Sequence, residues 1–338
     1  MSSIGKLPSE TERTLVRKSG SWTNPSYGCA PEKRPILEYI EKGVVNVDKP
    51  RGPTSHEVAA WVKAILGVNT AGHAGSLDPK VTGLLPTLLG KATKVVPALR
   101  LSGKEYVCLL KLHKPMPPKL VKKVCAEFSG PIYQVPPVKS AVKRVLRVRT
   151  IYYLEVLEIE GSSVLFRAGC EAGTYIRKLC HDIGLALGCG GHMQELRRTK
   201  AGPFTEKTLV TLQDLKDAYV FWKEEGDESE LRRVIMPMEA AVSHLPKIVL
   251  RDSAIDAVCS GASLAIPGIV SLDSNLVKGD LIALFTLKGE LVALAKAEMN
   301  TEEILKASTG LAAIPIRIIM ESGTYPKGWS KKEENLQL

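Results

Sequence analysis

One short stretch, G-H-A-G-S-L-D-P-K-V-T-G at residues 72–83, places a single carboxylate in a turn punctuated by glycines. Taken alone, the Leu-Asp-Pro at its centre is typical of a reverse turn. The proline that follows restricts Asp78 to an extended backbone, so its carboxylate is held off the element that comes next. That geometry would also present a lone acid into a cleft, and the stretch by itself leaves both interpretations open.

The segment before this turn predicts a strand followed by a helix. Gly43–Asp48 has the short apolar alternation of a strand. The helix after it presents one apolar face, formed by Val58, Trp61, Val62 and Ile65. Thr54 or Ser55 is suited to cap its N-terminus, and Trp61 is expected in the core. Beyond the turn, a further helix is expected at residues 83–99.

Downstream segments mix the two periodicities without a regular β-α-β alternation. Strands are expected at residues 105–112, 151–159 and 164–168, and a Lys-rich helix at 119–128. The clearest helix begins at G-T-Y-I-R-K-L, residues 173–179, with Thr174 as its N-cap and one apolar face formed by Ile176, Leu179, Cys180 and Ile183. This pattern favours an α+β fold, a mixed and mainly antiparallel sheet flanked by helices.

Composition changes near residue 246 and again at both ends of the chain. Residues 246–322 alternate short runs of Val, Ile, Ala and Leu with Gly, Ser, Asp and Pro, which predicts a compact, β-barrel-like second domain. Residues 1–38 are polar with little periodicity, and residues 323–338 form a polar tail. No signal sequence or uninterrupted 18-residue apolar run is visible, so an intracellular, cytoplasmic protein is expected.

The net charge of +10 is concentrated in one run, K-S-A-V-K-R-V-L-R-V-R at residues 139–149. Clustered charge of this kind favours a polyanionic partner, most often nucleic acid. A basic, β-branched segment is typical of a long hairpin or arm that contacts phosphates. Its candidate phosphate-binding residues are Lys139, Lys143, Arg144, Arg147 and Arg149.

Two other constellations are poor candidates for catalysis or metal binding. Cys180, His181 and Asp182 appear in the order of nucleophile, base and orienting acid, but adjacent residues on a helix point about 100° apart. Cys189 and His192 match no usual zinc-ligand spacing. The seven widely scattered cysteines are therefore expected to be reduced thiols, with no metal site.

The order of several longer motifs resembles the TruB-type pseudouridine synthases. The matching segments are V-N-V-D-K-P-R-G-P-T-S-H-E-V (45–58), G-H-A-G-S-L-D-P-K-V-T-G (72–83), K-E-Y (104–106), G-T-Y-I-R-K-L (173–179) and E-L-R-R-T-K-A-G-P-F (195–204). P-P-V-K-S-A-V-K-R-V-L-R-V-R and G-H-M-Q-E-L-R-R-T are similar to the dyskerin branch, which is the catalytic subunit of box H/ACA guide-RNA particles. The resemblance covers residues 36–330. The sequence departs from it at 74–76, where Ala-Gly-Ser replaces Ser-Gly-Thr.

The resemblance implies a role for each candidate residue of the site. Asp78 is implied as the catalytic carboxylate, acting on the ribose either as a nucleophile or as a base. Tyr106 would stack on the flipped uracil, and Arg177 would form a salt bridge with Asp78. The remaining implied site residues are Tyr175, Leu196, His73 and Lys49. For His73, contact with RNA and a purely structural role are both open. Lys49 is expected to support the catalytic loop. The resemblance implies a reaction that needs no metal or organic cofactor.

The resemblance also implies a domain plan and partners. A catalytic domain is expected at 39–245, with a basic thumb loop at about 138–150, followed by an RNA-binding PUA domain. Implied partners are a box H/ACA guide RNA, substrate rRNA or tRNA, a Nop-type zinc-ribbon protein, a Gar-type protein and a kink-turn-binding ribosomal-type protein. The absence of a long Lys-rich tail is similar to archaeal members. A stand-alone tRNA TΨC-loop enzyme and a non-catalytic RNA scaffold are the alternatives.

Overall fold

The computed structural model describes residues 5–20, 22–136, 143 and 145–327. Lys139 and Arg144 of the basic run lie outside the described residues. The chain folds into two compact units, each assembled from segments that are distant in sequence. The first contains the described residues of Met1–Thr11, Val45–Leu88 and Leu99–Ile235, and the second contains those of Glu12–Val44, Leu89–Ala98 and Met236–Leu338.

The secondary structure is mixed, as the sequence predicts. The strands of the described residues are β1 (Leu15–Arg17), β2 (Gly43–Lys49), β3 (Ala71–His73), β4 (Thr82–Leu89), β5 (Lys104–Leu112), β6 (Gly130–Gln134), β7 (Arg147–Glu160), β8 (Ser163–Cys170), β9 (Gly191–Ala201), β10 (Phe204–Thr205), β11 (Met236–Pro237), β12 (Lys247–Leu250), β13 (Leu264–Ala265), β14 (Ile269–Asp273), β15 (Leu281–Phe285), β16 (Leu291–Ala297) and β17 (Leu311–Ile318). The α-helices are α1 (Ile36–Glu41), α2 (Ser55–Leu66), α3 (Val96–Leu101), α4 (Pro118–Glu127), α5 (Ile176–Ala186), α6 (Leu212–Glu225), α7 (Ser229–Val234), α8 (Asp252–Cys259) and α9 (Thr301–Lys306). Within the described part of the chain, no helix is long and apolar enough to cross a membrane.

The sheet of the first unit runs in the order β2-β4-β9-β5-β8-β7-β6, with β3 beside β4 and β10 beside β9. The pairs from β9 to β6 are antiparallel, whereas β4 and β9 are parallel. The core on this sheet includes Phe166 of β8 and Leu110 of β5, packed with Val121 of α4 and Leu179 of α5. The α+β prediction, with a mixed and mainly antiparallel sheet flanked by helices, is confirmed.

The sheet of the second unit runs in the order β1-β14-β12-β15-β16-β17-β13. Its described pairs are antiparallel except for β12 and β15, which are parallel. The compact β domain expected from residue 246 onward is therefore present. The sequence did not predict that residues of the polar N-terminal segment join it: Leu15–Arg17 pair with Ser271–Asp273 at the sheet edge.

Helix α2 confirms its predicted cap but corrects the prediction for Trp61. The Thr54 hydroxyl accepts a hydrogen bond from the Glu57 amide, and the Glu57 carboxylate accepts one from the Thr54 amide, which is a capping box. The buried face is formed by Ser55, Val58, Ala59, Val62 and Leu66. Trp61 lies outside this face and is 45% exposed, so its expected place in the core was wrong.

The helix expected over residues 83–99 was also wrong. Strand β4 occupies Thr82–Leu89, a 3₁₀ helix follows at Gly90–Val95, and only then does α3 begin. The strand is buried on both sides along almost its whole length, so its apolar residues show no alternation. A short apolar run of this kind cannot be distinguished from a buried helix by periodicity alone. Position inside the sheet, between β2 and β9, decides the conformation.

Helix α5 has the predicted buried face but begins one residue later than its expected cap implied. Ile176, Leu179, Cys180 and Ile183 are all buried, as expected. The N-cap residue is Tyr175, which makes no side-chain cap bond, and the Thr174 hydroxyl instead donates to the Glu171 carbonyl at 2.7 Å. The prediction of Thr174 as the N-cap was therefore wrong.

Candidate active site

The turn that carries Asp78 is tied down on both sides of that residue. The Leu77 amide donates to the Ser55 hydroxyl at 2.8 Å, and the same hydroxyl donates to the Leu77 carbonyl at 3.2 Å. Ser55 is the first residue of α2 and is buried. After Asp78, the Val81 amide donates to the Asp78 carbonyl at 2.9 Å and closes the turn. The backbone around the carboxylate is thus set by the hydrogen bonds that fix its neighbours.

Lys49 holds the same turn through hydrogen bonds to its backbone. It ends β2 and is fully buried, and its ammonium donates to the carbonyls of Pro50 at 2.9 Å, Pro79 at 3.2 Å and Val81 at 2.9 Å. Burial lowers the pKa of Lys49. Three carbonyl acceptors use all three donors of an ammonium group, so this side chain holds the backbone that follows Asp78.

Asp78 itself forms an ion pair with Arg177. An Arg177 guanidinium nitrogen donates to an Asp78 carboxylate oxygen, although the two residues are far apart in sequence. Arg177 is the second residue of α5, where the helix dipole disfavours a cation. Both side chains are about half exposed, at 53% for Asp78 and 50% for Arg177, so the pair adds little to stability. Its effect is to orient an accessible carboxylate.

Tyr106 and Leu196 line adjacent strands of the same sheet. Tyr106 lies on β5 and Leu196 on β9, where it faces Cys108, and both are partly buried against the core cluster. Burial raises the pKa of Tyr106, and the neighbouring Arg198 guanidinium opposes that rise. The phenol is therefore neutral, and it forms part of an apolar wall.

Tyr175 precedes Arg177 and is clamped through its backbone. Its amide donates to the Gln134 side-chain carbonyl at 2.9 Å, and the Gln134 amide group donates to the Tyr175 carbonyl at 3.1 Å. Gln134 is buried at the end of β6. The sequence prediction missed Gln134, although it stands two residues before the P-P-V-K-S run that carried part of the resemblance.

His73 lies at the end of β3, at the entrance to the turn. Its ring meets the His56 ring edge-on, with the centroids 4.8 Å apart. Burial lowers the pKa of His73 to about 4, and the charges of His56, Arg198 and Arg100 act in the same direction. The imidazole is therefore neutral near pH 7, and its Nδ1 accepts a bond from the Gly75 amide at 3.4 Å. These contacts place His73 in the framework of the turn.

The basic run is partly within the described residues. Strands β6 and β7 pair antiparallel, and Arg147 and Arg149 of the run lie at the start of β7. Lys143 is exposed, Arg147 is partly exposed, and Arg149 forms an ion pair with Glu171 at 3.2 Å. Lys143 and Arg147 are consequently more available to an external anion than Arg149.

The residues set aside as a triad or zinc site make their contacts away from this turn. The buried Cys180 and Cys108 sulfurs are 3.4 Å apart, and Asp182 pairs with Lys178. His192 contacts His113, with 3.3 Å between their ring nitrogens. Within the described residues, no three His, Cys, Asp or Glu side chains come together as a metal site.

Comparison with protein-family models assigns almost every part of the chain. Residues 63–119 and 113–176 match the N-terminal domain of the TruB family of pseudouridylate synthases, and residues 177–243 match the C-terminal domain of tRNA pseudouridylate synthase B. Residues 246–319 match the PUA domain, and residues 6–59 match the DKCLD domain.

Whole-length relatives and solved structures agree with these matches. A probable tRNA pseudouridine synthase B of Methanosarcina acetivorans is 87% identical over 338 residues and covers 100% of both chains. The Pyrococcus furiosus protein of the same name is 55% identical, with 97% of each chain covered. A crystal structure of a Cbf5–Nop10–Gar1 complex aligns with a TM-score of 0.91 at 56% identity over 95% of this chain and 98% of that chain. An H/ACA RNP bound to a substrate RNA containing 2′-deoxyuridine aligns with a TM-score of 0.90 at 53% identity over 96% and 100% of the two chains.

Proposed function

The chain belongs to the TruB family of pseudouridylate synthases, and on that basis we propose that it isomerises specific uridines of rRNA or tRNA to pseudouridine under the direction of a box H/ACA guide RNA. The observation that carries this proposal is the ion pair between Asp78 and Arg177 on a turn braced by Ser55 and Lys49. It supplies one accessible carboxylate, oriented by a cation, within the D-P-K-V-T-G motif.

The reaction explains why one carboxylate is enough. The N1–C1′ bond of uridine breaks, the base turns, and a C5–C1′ bond forms, while C5 loses a proton and N1 gains one. Glycosidases usually need two carboxyl groups because one protonates the leaving group and the other activates water or attacks the sugar. In this isomerisation no water enters and the leaving base is recaptured. Asp78 acts on the ribose, as a nucleophile or as a base, and Arg177 orients it.

The remaining site residues bind the flipped nucleotide. Extracting a base from its stack costs a few kcal/mol, and an apolar or aromatic pocket compensates for part of that cost. Tyr106 stacks on the uracil, Leu196 and Tyr175 complete the pocket, and His73 and Lys49 support the turn. Lys143 and Arg147 contact phosphates on the approach to the site.

The partners follow from the relatives of known structure. Similarity along the whole chain to Cbf5 in complex with Nop10 and Gar1, and to an H/ACA RNP with its substrate RNA, supports the same class of assembly here. The catalytic domain occupies 39–245 and the PUA domain 246–322, where it binds the guide RNA. The family-model matches, which end at 243 and resume at 246, support this boundary. We place the protein in the cytoplasm of an archaeal-like cell, together with a kink-turn-binding ribosomal-type protein held through the guide RNA.

A second activity is favoured by the names of the sequence relatives, which are probable tRNA pseudouridine synthases. The same site would modify the uridine of the tRNA TΨC loop without a guide. The two activities are separated by measuring product on a guided target and on tRNA, each with and without guide RNA. Product on the guided target that does not depend on the guide would contradict the guided function.

Substitution of the carboxylate tests the assignment of the site. Asp78→Asn keeps the size and turn preference of the residue, so RNA affinity and melting temperature should barely change. Product should become undetectable under single-turnover conditions on a guided target. Arg177→Ala should reduce the rate sharply in the wild-type background and add little in the Asp78→Asn background, because residues that act as one unit are not additive. A fully active Asp78→Asn enzyme would exclude this chemistry.

A further inference from the structure

Arg198 is a buried cation that donates hydrogen bonds to two backbone carbonyls. It lies on β9 and is 1% exposed. Its Nε donates to the Leu84 carbonyl at 2.7 Å, and its Nη2 donates to the Gly75 carbonyl at 3.1 Å. Among the described residues, no carboxylate oxygen lies within 4.0 Å of its guanidinium nitrogens. The preceding Arg197 is the opposite case, since it binds both Asp48 oxygens at 3.0 Å and is partly exposed.

The two carbonyls that Arg198 binds lie on either side of Asp78. Gly75 comes three residues before the carboxylate and Leu84 six residues after it. Burying a guanidinium without a counter-ion is unfavourable, and charge-assisted hydrogen bonds offset that cost only where acceptors are held in place. A single side chain therefore closes the base of the loop from which Asp78 projects, in addition to the bonds made by Lys49.

Strand register places the same side chain beside Tyr106. On one side of β9, Arg198 is the partner of Gly83 in the parallel pairing with β4. On the other side it is the partner of Tyr106 in the antiparallel pairing with β5. Directly opposed residues in adjacent strands point to the same face of the sheet, so the guanidinium and the phenol are neighbours. Arg198 thus contacts both the loop that carries Asp78 and the strand that carries Tyr106.

We propose that Arg198 is a positioning residue for the reaction, which fixes the loop of Asp78 relative to the strand of Tyr106. The inference rests on the proposed function of this site. Nucleotide isomerisation requires the carboxylate and the stacking ring to keep one separation while the base is released and turned. A displacement of about 1 Å in such an arrangement can lower the rate by about 10²-fold.

The peptide of Gly75 supports the same assignment, because it is held from both sides. Its carbonyl accepts from Arg198, and its amide donates to Nδ1 of His73 at 3.4 Å. An imidazole nitrogen accepts only when it is unprotonated, and the pKa of His73 is lowered chiefly by burial, then by the charges of His56 and Arg198. The unprotonated imidazole and the Arg198 guanidinium therefore hold the Gly75 peptide from its two sides.

Single-turnover kinetics separate positioning from folding. In such an assay the amplitude reports the fraction of folded enzyme, and the first-order rate constant reports the site itself. Arg198→Gln should lower the rate constant about 10²-fold while the dissociation constant for RNA stays within about twofold. Arg198→Lys keeps the charge but has one nitrogen for two carbonyls. Its rate constant should lie between those of the wild type and Arg198→Gln. Arg197→Gln is the matched control and should keep the wild-type rate constant.

A purely structural role would lower only the amplitude and the melting temperature, and a wild-type rate constant for Arg198→Gln would overturn the inference. If that variant does not fold, Gly75→Ala tests the contact from its other end. The φ of Gly75 is +130°, so alanine displaces its carbonyl while leaving the arginine in place. A wild-type rate constant in Gly75→Ala would equally overturn it. If the wild-type enzyme forms product and a variant keeps the wild-type rate constant, only this inference is contradicted. If the wild-type enzyme forms no product, the proposed function is contradicted as well.

Discussion

At the scale of single residues, the candidate site depends on positions where only one residue type fits. Gly83, the last residue of the D-P-K-V-T-G motif, has a φ of +100° and lies against β9. A Cβ at this position would be 2.1 Å from the carbonyl oxygen of Arg198. The glycine therefore allows β4 to approach β9 closely enough for Arg198 to reach across the loop of Asp78.

Gly83→Ala should be strongly destabilising, and Gly130→Ala provides a control for the backbone conformation alone. Gly130 has a similar φ of +108°, but a Cβ there would meet nothing within 4 Å. A left-handed conformation costs about 1–2 kcal/mol for a residue with a Cβ, and both variants incur it. Gly83→Ala should lose about 1–3 kcal/mol more because of the clash. Denaturant unfolding of both variants measures the difference, and equal losses would show that the contact relaxes freely.

His73 should make the stability of the protein sensitive to mild acid. The native state lowers its pKa to about 4, chiefly by burial and then through His56, Arg198 and Arg100, whereas the unfolded chain protonates it near the usual value of about 6.5. Between these values the unfolded state binds more protons, so stability from this group is complete above about pH 6.5 and is lost as the pH falls toward 4.

The measurement compares denaturant unfolding of the wild type and His73→Gln at about pH 7.5 and about pH 5. The loss of stability on acidification should be smaller in the variant, since it lacks the titrating group. Equal losses in the two proteins would show that the native pKa of His73 is not depressed. An NMR titration of the His73 ring provides an independent check.

At the scale of elements, buried lysines close the ends of several segments. Lys104, at the start of β5, donates to the carbonyls of Leu99 at 3.0 Å, Arg100 at 2.9 Å and Ser102 at 2.6 Å. The Leu99 and Arg100 carbonyls belong to the last turn of α3, where helical amide donors run out, and the Leu99 carbonyl also accepts from the Ser102 amide at 3.2 Å and the Ser102 hydroxyl at 2.7 Å. The first residue of the K-E-Y motif therefore holds the segment that enters the strand of Tyr106.

Lys104→Met should destabilise the protein by about 2–5 kcal/mol, because the carbonyls of Arg100 and Ser102 lose the donor that Lys104 supplies. Lys111→Met is the matched control on the same strand, since its ammonium makes one bond to the Ser163 hydroxyl at 3.0 Å. That control should lose no more than about 1 kcal/mol. Thermal or urea unfolding distinguishes them, and similar losses would mean that water reaches the α3 carbonyls in the variant.

The described cations of the basic run are expected to contribute unequally to RNA binding. Each phosphate contact with a single strand contributes about 0.7 to the slope of log affinity against log salt. Replacing Lys143 and Arg147 with Gln should therefore flatten the slope by about 1.4. Arg149→Gln should change it less, because Glu171 already pairs with that guanidinium. An unchanged slope in the double variant would show that this part of the run is only a solvated surface.

At the scale of the whole molecule, part of the segment near the N-terminus belongs to the second unit, which includes the described residues of Glu12–Val44. The Lys18 ammonium donates to the carbonyls of Ile304 at 2.7 Å and Ala307 at 2.9 Å, at the end of α9. The Lys288 ammonium donates to the carbonyl of Asn24 at 2.8 Å and also to that of Tyr27. These bonds attach residues 15–28 to the sheet formed mainly by residues 247–318.

Lys18→Met and Lys288→Met should each lower stability by about 1–3 kcal/mol and accelerate hydrogen exchange of the β1 amides, because backbone acceptors lose a charged donor. Lys278→Met is the control on an exposed position of the same unit and should remain within about 0.5 kcal/mol of the wild type. Unaltered exchange in β1 would show that strand pairing alone retains the segment.

Short-range sequence patterns determined several features of the fold. The N-cap of α2, the buried face of α5, a strand at 105–112 and the α+β class could all be predicted, because each depends on patterns among residues that are close in sequence. The motifs also indicated Asp78 and its partner Arg177 through a family resemblance. Their roles in the reaction remain a prediction, whereas the ion pair itself is observed.

Only the tertiary structure decided that residues 82–89 are a strand, that Trp61 is exposed, that Leu15–Arg17 join a distant sheet and that Gln134 and Arg198 brace the site. An apolar run buried on both sides has no periodicity from which to identify it. A side chain that satisfies carbonyls far away in the sequence leaves no local pattern either. Such contacts form because the free energy gained by burying distant segments against each other outweighs the entropy lost in closing the intervening chain. The outcome depends on which segments meet in the folded protein, so no local sequence pattern reveals it.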